Sequence, residues 1–262
     1  MSTKRFSYDD CELLKVLHAE FAAAGFDLVT AFPAGAYNEH EKIAGRPELL
    51  VPAKESSTLA VLVGNTREVW DPFVRHLKSS LEGAAHLKSA DPLDQFTKYL
   101  VERVLAQVAL GEEADVVYAY ETLENHGRCC SVKTVGHVSG LAWFDAEHTQ
   151  ISVHPTFGPW FAYRAVITFP NRTWTKGLPG NWEGPLKLCP CSQKELQRVA
   201  AVQASVMAKW ETVSERESWD GLIRVSETFT QGAEHKYCPQ QMLYHYTPES
   251  AKRLEILNEC TA

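Results

Sequence analysis

Two neighbouring segments hold most of the side chains that could do chemistry in this sequence. Residues 135–144 and 151–164 together contain six large aromatic residues, two histidines and one arginine. A mostly apolar wall with a few polar points is typical of a pocket for a large organic cofactor. The same aromatic residues could instead form the ordinary core of a sheet, which is the more common use of such residues.

Arg164 and His137 are the polar residues of these segments that say most about function. Arg164 precedes the apolar run Ala165–Ile167, which is typical of a buried strand. Because an unpaired buried charge is very costly, Arg164 needs an anionic partner, either a carboxylate of the chain itself or one of a ligand. His137 could be a ligand or a proton donor, or a satisfied interior residue.

The cysteines do not indicate a disulfide framework or a metal site. There are seven of them, an odd number, and none forms a C-x-x-C pair. This pattern favours reduced thiols. Cys189 and Cys191, separated by Pro190, could be a redox pair, but the proline and the single-residue spacing would strain a disulfide. A surface turn is the favoured interpretation.

Composition and charge exclude several classes of protein. The chain has 262 residues, of which 45% are hydrophobic, and its net charge is −7 from 26 basic and 33 acidic residues. The acidic balance and the absence of a dense basic cluster argue against nucleic-acid binding. The apolar run Leu59–Gly64 is too short to span a bilayer. The first ten residues lack the apolar stretch of a signal peptide, which predicts a cytoplasmic location.

The hydrophobic periodicity predicts helices and strands in separate blocks. Residues 26–57 are expected to form an irregular connection with one short strand. Glu195 is expected to complete a capping box with Ser192. The first helix is expected to start after Asp9-Asp10 and to stop at Gly25. Further helices are expected over about 72–81, from Pro92 to a stop at Gly111, over about 193–210 and over about 248–258. Strands are expected over 58–64, 116–121, 131–144, 150–154 and 160–169.

This order of elements predicts the fold class. Several strands follow one another in the middle of the chain, with helices before and after them. Such segregation favours an α+β fold with a mostly antiparallel sheet over a doubly wound parallel sheet. The sequence contains no P-loop, no G-x-G-x-x-G loop and no G-x-S-x-G elbow, so it offers none of these recognised phosphate or nucleophile motifs.

Four motifs in their order and spacing resemble the cblC family of cytosolic cobalamin-processing proteins. The most specific is the string H-P-x-F-G-x-W-F-A-x-R over residues 154–164. The others are D-P-L-D-Q over 91–95, H-V-S-G over 137–140 and A-K-R-L over 251–254. The resemblance covers nearly the whole chain and is weakest before residue 55 and between residues 170 and 235.

The resemblance implies a fold and an activity. The fold would be like that of flavin nitroreductases, as one domain over residues 1–262 with a helical cap from about residue 190. The protein would bind cobalamin base-off and remove its upper axial ligand, alkyl groups by transfer to glutathione and cyanide by reduction. A thiol oxidase side activity, a role for FMN or FAD and a downstream cobalamin-trafficking partner also belong to this implication.

The resemblance also implies site residues, carried over one position at a time. The predicted glutathione-binding residues are Arg164, Arg253, Arg224 and Tyr237. The predicted cobalamin-binding residues are Ala119, Cys130, Ser131, Val132, Lys133, His137, Phe144, Asp145, Ser152, Trp160 and Tyr163. No protein side chain is expected to ligate a metal, because the cobalt is carried by cobalamin.

Two departures from the family pattern and two alternative functions accompany this interpretation. Pro159 replaces a common glycine, and Asp145 replaces a common tyrosine. Val135 occupies the aspartate position of the D-x-H-x-x-G motif, so H-x-x-G alone does not make His137 a cobalt ligand.

The two alternative functions are a flavin-dependent reductase of the same fold and a non-catalytic cobalamin escort.

Overall fold

The computed structural model describes residues 9–108, 112–179, 182–210, 212, 214–247 and 249–261. Its strands are Leu28–Pro33 (β1), Thr58–Asn65 (β2), Asp115–Tyr118 (β3), Trp143–Phe144 (β4), Ser152–Val153 (β5) and Ala162–Thr173 (β6). Four of them form a fully antiparallel sheet in the order β1–β2–β6–β3. The other two, β4 and β5, form a small antiparallel ribbon.

Helices surround this sheet. They are Asp10–Ala23 (α1), Ala34–Ile43 (α2), Trp70–Ser79 (α3), Leu81–His86 (α4), Pro92–Val108 (α5), Leu123–His126 (α6), Val132–Val138 (α7), Gln193–Met207 (α8), Glu215–Glu227 (α9), Pro239–Tyr246 (α10) and Ser250–Thr261 (α11). The predicted α+β class with an antiparallel sheet is confirmed. Within the described part of the chain, no helix is both long and apolar enough to cross a membrane.

The central strand β2 shows why helices cover both faces of the sheet. All eight of its residues are buried. Successive side chains of a strand point to opposite faces, so a strand that is buried on both faces has an unbroken apolar run. Leu59, Val61 and Val63 pack in one core cluster with residues of α1, α3 and α5. Ala60 and Leu62 pack in a second cluster with residues of α2 and α7.

The helices that follow residue 190 fall into two groups. Tyr244 of α10 and Leu257 of α11 belong to the main core cluster on the α5 side of the sheet. The helices α8 and α9 instead share a separate apolar cluster, in which Val199 and Val225 pack with Val153 of β5. The C-terminal region therefore contacts the sheet directly on one side and the β4–β5 ribbon on the other.

The predicted strand over 131–144 is wrong. Residues 132–138 form α7, and only Trp143 and Phe144 are extended. The β-branched valines favoured a strand, but Val135 and Val138 are buried together at a helical spacing of three residues. Tertiary packing therefore overrides the local preference for an extended chain at this point.

Other boundaries also differ from the expectations. Helix α2 lies in the segment predicted as an irregular connection, and α9 and α10 were not predicted.

The strand predicted over 150–154 is shorter in the structure and consists of β5, Ser152–Val153, because Gln150 has a positive φ of 56°. The Ser192 hydroxyl caps α8 as expected, but the Glu195 carboxylate binds the backbone N–H groups of Thr230 and Gln231. The predicted helix stop at Gly111 and the start at residue 248 lie outside the described residues.

Candidate functional site

A β-bulge at the start of β6 organises the site. Val63 of β2 is paired with Ala165, whereas the next residue, Gly64, is paired with Tyr163, so Arg164 is the extra residue. A bulge of this kind re-aims the side chains around it. Tyr163 packs with the core cluster on the α7 side of the sheet. Arg164 turns to the opposite side, where its Nε donates to Asn65 Oδ1 at 2.5 Å.

The side chains on the Tyr163 side form what we call the aromatic group, namely Lys133, His137, Phe144, Ser152 and Tyr163. The ribbon places Phe144 opposite Ser152. The Lys133 ammonium lies 5.8 Å from the centre of the Phe144 ring and donates to the Gln150 carbonyl at 2.9 Å. The His137 Nδ1 accepts from the Phe144 N–H at 3.4 Å. One short helix and one ribbon therefore bring these predicted residues together.

Tyr163 lies across α7 at a glycine. A Cβ on Gly136 would fall 2.1 Å from the Tyr163 hydroxyl oxygen, so only glycine allows the ring to approach the helix this closely. The Tyr163 hydroxyl and the Ser152 hydroxyl are both buried and face each other, with no other hydrogen-bond partner among the described residues. Burial raises the pKa of Tyr163, and the nearby Ser152 hydroxyl acts in the opposite direction. Buried polar atoms are normally satisfied, so these two hydroxyls indicate a place where a polar ligand group can bind.

Three more of the predicted residues border the aromatic group. The Ser131 hydroxyl is 2.7 Å from the Thr134 hydroxyl, and the Ser131 backbone N–H donates to the Tyr37 hydroxyl. Burial raises the pKa of the neighbouring Cys130 thiol to about 12, so this thiol stays protonated near neutral pH. Asp145 accepts hydrogen bonds from Thr149 and His148 and closes the turn between β4 and β5.

One ring nitrogen of His137 accepts a hydrogen bond from the backbone and so has a structural role. Since Nδ1 accepts a backbone hydrogen bond, a neutral ring carries its proton on Nε2. Burial, together with the nearby His40, lowers the pKa of His137 below its usual value. The ring also contacts the edge of Trp143, with the two ring centres 5.1 Å apart. These contacts correspond to the interior role that the sequence left open.

On the other side of β6, two arginines lie in what we call the arginine group, formed by Arg164, Arg253, Tyr237, Gln241 and His245. Arg253 of α11 forms an ion pair with Asp91 at 2.8 Å, but its buried Nε has no hydrogen-bond partner in the described part of the chain. The buried Nη2 of Arg164 likewise has none. Donors of two guanidinium groups therefore point into this region without an acceptor.

The helix α10 and the segment just before it supply the remaining members of the arginine group. Burial and the charges of Arg164 and Arg253 lower the pKa of His245 to about 3, so this imidazole is neutral. Its ring centre is 5.1 Å from that of Tyr237. Burial also raises the pKa of Tyr237. Gln241, one helical turn before His245, is wholly buried with both side-chain polar atoms unpartnered among the described residues.

Asp94 sets the charge balance of the arginine group. Burial, followed by the neighbouring charge of Asp91, raises the pKa of this carboxyl to about 6, although Arg164 and Arg253 act in the opposite direction. The question left open about the partner of Arg164 therefore has a mixed answer. Its direct hydrogen-bond partner inside the fold is the neutral Asn65, and its guanidinium keeps a donor for an external acceptor.

Three predicted residues lie away from the groups they were assigned to. Trp160 packs against Tyr237, with ring centres 5.7 Å apart, and so lies beside the arginine group and not the aromatic group. The Ala119 N–H donates to the Arg164 carbonyl at 2.9 Å, which places Ala119 at the bulge. Arg224 is exposed in a groove between α8 and α9, and the structure does not bring it together with Arg164.

The motif that begins at His154 forms a tight turn between β5 and β6. His154 Nδ1 accepts from the backbone N–H groups of Thr156 and Phe157, at 3.0 and 3.2 Å. Gly158 meets the turn before α10, where an added Cβ would fall 1.9 Å from the Gln231 carbonyl oxygen. The histidine and the glycine of this string therefore have local structural roles, because the histidine closes the turn and the glycine admits another segment of backbone.

Cys189 and Cys191 are free thiols next to the α8–α9 cluster. The Cys191 N–H donates to the Cys189 sulfur at 3.4 Å, and Cys191 is buried. Burial raises the pKa of Cys191 to about 12. The segment is therefore a turn, as favoured, but its second cysteine faces the interior and not the surface.

Several residues of the site were not predicted from the sequence. Asn65, Gln241 and His245 carry no motif, and the last two lie on a helix that the periodicity did not reveal. Asp91 and Asp94 were quoted within the D-P-L-D-Q motif, yet no role in the site was assigned to them. The motif was the available sequence signal for these two residues. Its first aspartate, Asp91, precedes α5 and accepts a hydrogen bond from Arg253.

Comparisons with known proteins show the family to which the chain is similar. The model of the methylmalonic aciduria and homocystinuria type C family matches residues 25–257. A Danio rerio protein named cyanocobalamin reductase / alkylcobalamin dealkylase is 29% identical over 255 residues, which cover 92% of this chain and 91% of that protein. A Homo sapiens protein of the same name is 29% identical over 234 residues, covering 82% of this chain and 74% of that protein.

A solved structure has the same fold. It is the crystal structure of a C. elegans B12-trafficking protein CblC, described as a homologue of human MMACHC. The superposition has a TM-score of 0.69, covers 95% of each chain and pairs residues that are 18% identical. At this level of identity the likeness concerns the fold, and it supports the nitroreductase-like architecture expected from the sequence motifs.

Proposed function

Because the chain belongs to the methylmalonic aciduria and homocystinuria type C family, we propose that it binds cobalamin as a substrate and removes the upper axial ligand. Alkyl groups leave by transfer to glutathione, and cyanide leaves by reduction of the cobalt. The observation that carries the proposal is the bulge in β6, which supplies adjacent residues to two chemically different groups. Tyr163 belongs to the aromatic group, which is mostly apolar with a few polar side chains. Arg164 belongs to the arginine group, which can bind a carboxylate.

The aromatic group fits the edge of a corrin ring. The corrin is a broad apolar disc whose rim carries amide side chains. Phe144 and Tyr163 offer apolar area, while the neighbouring Ser152 and Tyr163 hydroxyls and the Lys133 ammonium offer polar contacts to amide groups. Loss of the lower base would remove the ligand that lies opposite the upper group and so would make the cobalt easier to reduce. This chemistry belongs to the cobalamin.

The arginine group fits glutathione. Arginine binds carboxylates through paired, charge-assisted hydrogen bonds. Arg164 and Arg253 each keep an unpartnered buried nitrogen, and together with Tyr237 they supply donors for a carboxylate of the tripeptide. The positive charges also favour the thiolate of glutathione over its thiol. Arg224 has no such position, and its role in glutathione binding stays a prediction.

The dealkylation step balances as a nucleophilic substitution. The glutathione thiol loses its proton to solvent, and the thiolate electron pair forms a bond to the carbon attached to cobalt. The carbon–cobalt bond breaks with its electron pair on the metal, which gives a thioether and cob(I)alamin. Holding both reactants in one site removes several kcal/mol of barrier, on the order expected from proximity. Decyanation instead requires one electron from a thiol or a reduced flavin, and cyanide leaves with its own electron pair.

The decisive experiment mixes the protein with methylcobalamin and glutathione without oxygen. We expect the absorption spectrum to change to that of cob(I)alamin, while S-methylglutathione accumulates in equal amount. Binding of cobalamin without this product would indicate an escort. A purified protein that carries flavin and reduces nitro compounds with NADPH, but leaves methylcobalamin intact, would indicate a reductase. Glutathione disulfide formed under oxygen would measure the thiol oxidase reaction.

Cobalamin alone should stabilise the protein. A ligand that binds only the native state adds about 2.7 kcal/mol at a concentration one hundred times its Kd. We therefore expect a higher melting temperature with cobalamin, together with a base-off absorption spectrum. Cobinamide, which lacks the lower base, is the control and should give a comparable shift if the corrin supplies most of the contact. A base-on spectrum with an unchanged melting temperature would contradict the assignment of the aromatic group.

Asp94 should make glutathione binding dependent on pH. Its carboxyl, with a pKa of about 6, is mostly neutral below that pH and becomes an anion above it. The anion reduces the positive charge available to the carboxylates of glutathione, so affinity should fall as the pH rises from about 5 to 7. Asp94→Asn should bind more tightly than the wild type at pH 7.5 and equally at pH 5, as measured by isothermal titration. Parallel pH profiles for the two proteins would contradict this role.

A further inference from the structure

Asn65 is a polar residue at the end of the otherwise apolar strand β2. Its side chain is wholly buried, and apart from Thr58 at the other end, every other residue of the strand is apolar or glycine. A buried polar side chain costs free energy unless its donors and acceptors are satisfied, so an amide in this place needs a structural or a functional reason. Asn65 belongs to none of the four motifs that resemble the family.

The amide of Asn65 makes a hydrogen bond through each of its two polar atoms. Its Oδ1 accepts from the Arg164 Nε at 2.5 Å, and its Nδ2 donates to the Thr66 carbonyl at 2.7 Å. A guanidinium group has donors only, so the atom that faces Arg164 must be the amide oxygen, and the orientation of the amide follows. The two hydrogen bonds fix the amide and, through it, the Nε of Arg164.

Thr66 is held in turn by a carboxylate. The two oxygens of Asp27 accept from the Thr66 backbone N–H at 2.8 Å and from the Thr66 hydroxyl at 2.6 Å. A chain of hydrogen bonds therefore runs from the residue before β1 to the bulge in β6. Because the guanidinium is planar, with its donors in a fixed fork, holding Nε sets the direction of the others. One of these is the buried Arg164 Nη2, which has no partner in the described part of the chain.

The contact with Asn65 leaves the positive charge of Arg164 intact. Of the carboxylates in this region, Asp27 binds the residue after Asn65, and Asp91 binds an arginine of α11. Neither of them, nor Asp94, forms an ion pair with Arg164 within the described residues. A carboxylate in place of the Asn65 amide would satisfy the same Nε, but it would also neutralise the charge that binds a ligand carboxylate.

We propose that Asn65 is a positioning residue for the reaction, which orients the Arg164 guanidinium toward a ligand carboxylate without neutralising its charge. The inference rests on the proposed function, in which Arg164 binds a carboxylate of glutathione, and it adds a residue that acts through this arginine. An apolar residue at position 65 would lose the orientation, whereas an aspartate would keep the orientation and cancel the charge. These two substitutions therefore separate the two parts of the role.

The test compares Asn65→Leu with Asn65→Asp. The NMR signal of the Arg164 Nε–H, assigned by its loss in Arg164→Gln, reports whether this proton is hydrogen-bonded. Its exchange with water should be about tenfold faster than in the wild type for Asn65→Leu, as the loss of a hydrogen bond to a charged group predicts, and no faster for Asn65→Asp. Isothermal titration at neutral pH should show glutathione affinity lowered about tenfold in both variants, with cobalamin affinity unchanged.

Asn38→Leu is the matched control for the loss of a hydrogen-bonded amide. The side chain of Asn38, on α2, also makes two hydrogen bonds, both to the backbone of Val51. This variant should lower the melting temperature about as much as Asn65→Leu does. It should leave both the glutathione affinity and the Arg164 signal as in the wild type. If it weakened glutathione binding equally, the effect of Asn65→Leu would be one of stability and not of positioning.

Two further results would overturn the inference. An unchanged Arg164 signal in Asn65→Leu would mean that Asn65 does not hold the guanidinium, and wild-type glutathione affinity in Asn65→Asp would mean that a neutral partner is not required. Asn65→Ala removes the same acceptor without added bulk and replaces Asn65→Leu should that variant not fold. If the wild type binds no glutathione, the proposed function is lost. The Arg164 signal, which needs no ligand, then decides separately whether Asn65 orients the arginine.

Discussion

Replacing Arg164 by glutamine should weaken glutathione binding about ten- to a hundredfold, while cobalamin binds as in the wild type. The expected loss corresponds to about 1.5–3 kcal/mol, which is typical of a hydrogen bond to a charged group. Glutamine keeps a donor for Asn65 but removes the charge and the buried Nη2 that has no partner within the described residues. Isothermal titration with each ligand measures the two affinities.

The partner of Arg164 makes this variant informative. Had the guanidinium formed a buried ion pair with a carboxylate of the chain, its removal would strand a charge and destabilise the whole fold. The structure instead pairs it with a neutral amide. We therefore expect the melting temperature to change little. A large drop in melting temperature, with cobalamin affinity falling together with that for glutathione, would contradict a ligand-binding role.

Two further arginine variants calibrate the result. Arg253→Gln should act in the same direction with a smaller effect, because part of that guanidinium is already bound to Asp91. Arg75→Gln, on the exposed side of α3, is the matched control for the loss of one positive charge. If Arg75→Gln weakened glutathione binding as much as Arg164→Gln does, the net charge of the protein and not the arginine group would be responsible.

Replacing Gly158 by alanine should lower the free energy of unfolding by about 3 kcal/mol. The positive φ of 57° costs an L-residue about 1–2 kcal/mol, and the new Cβ would lie 1.9 Å from the Gln231 carbonyl oxygen. Overpacking of this kind adds about 1–3 kcal/mol. The melting temperature should fall by about 6–12 °C. Urea unfolding and a thermal scan measure the two quantities.

Gly45 supplies a matched control for this variant. It also has a positive φ, of 71°, but a Cβ there would meet no atom within 4 Å. Gly45→Ala should therefore cost only the backbone contribution of about 1–2 kcal/mol. The difference between the two variants measures how tightly the His154–Arg164 turn is held against the turn at Gln231. Equal losses would contradict the close contact between these two backbones.

The sequence predicted best those elements whose pattern is local. The apolar run of β2 is unbroken because the strand is buried on both faces, and α5 has an apolar stripe because it is buried on one. The bounds of β2 were predicted to within one residue, and the start of α5 was predicted at its observed position. Helix α7 was predicted as a strand because its valines prefer an extended chain. Its true state depends on Tyr163 lying across Gly136, a contact between residues far apart in the chain.

Residues of the site could be predicted from the sequence only where they belong to a recognisable motif. The string ending at Arg164 identified the arginine, and the alternatives for its partner followed from the cost of a buried charge. The identity of that partner did not follow, because Asn65 is 99 residues away and carries no signal of its own. Gln241 and His245 were missed for a similar reason. Their helix is short, and its buried face is set by contacts with the arginine group and not by an apolar stripe.

In evolutionary terms, the bulge places Arg164 outside the regular alternation of β6. Tyr163 and Ala165 lie two positions apart and yet pack on opposite sides of the sheet, because Gly64 pairs with Tyr163 and Val63 pairs with Ala165. Deletion of Arg164 alone would therefore leave both neighbours on their present sides and remove only the arginine. Loss of one residue from the regular part of the strand after Ala165 would instead carry side chains to the opposite face.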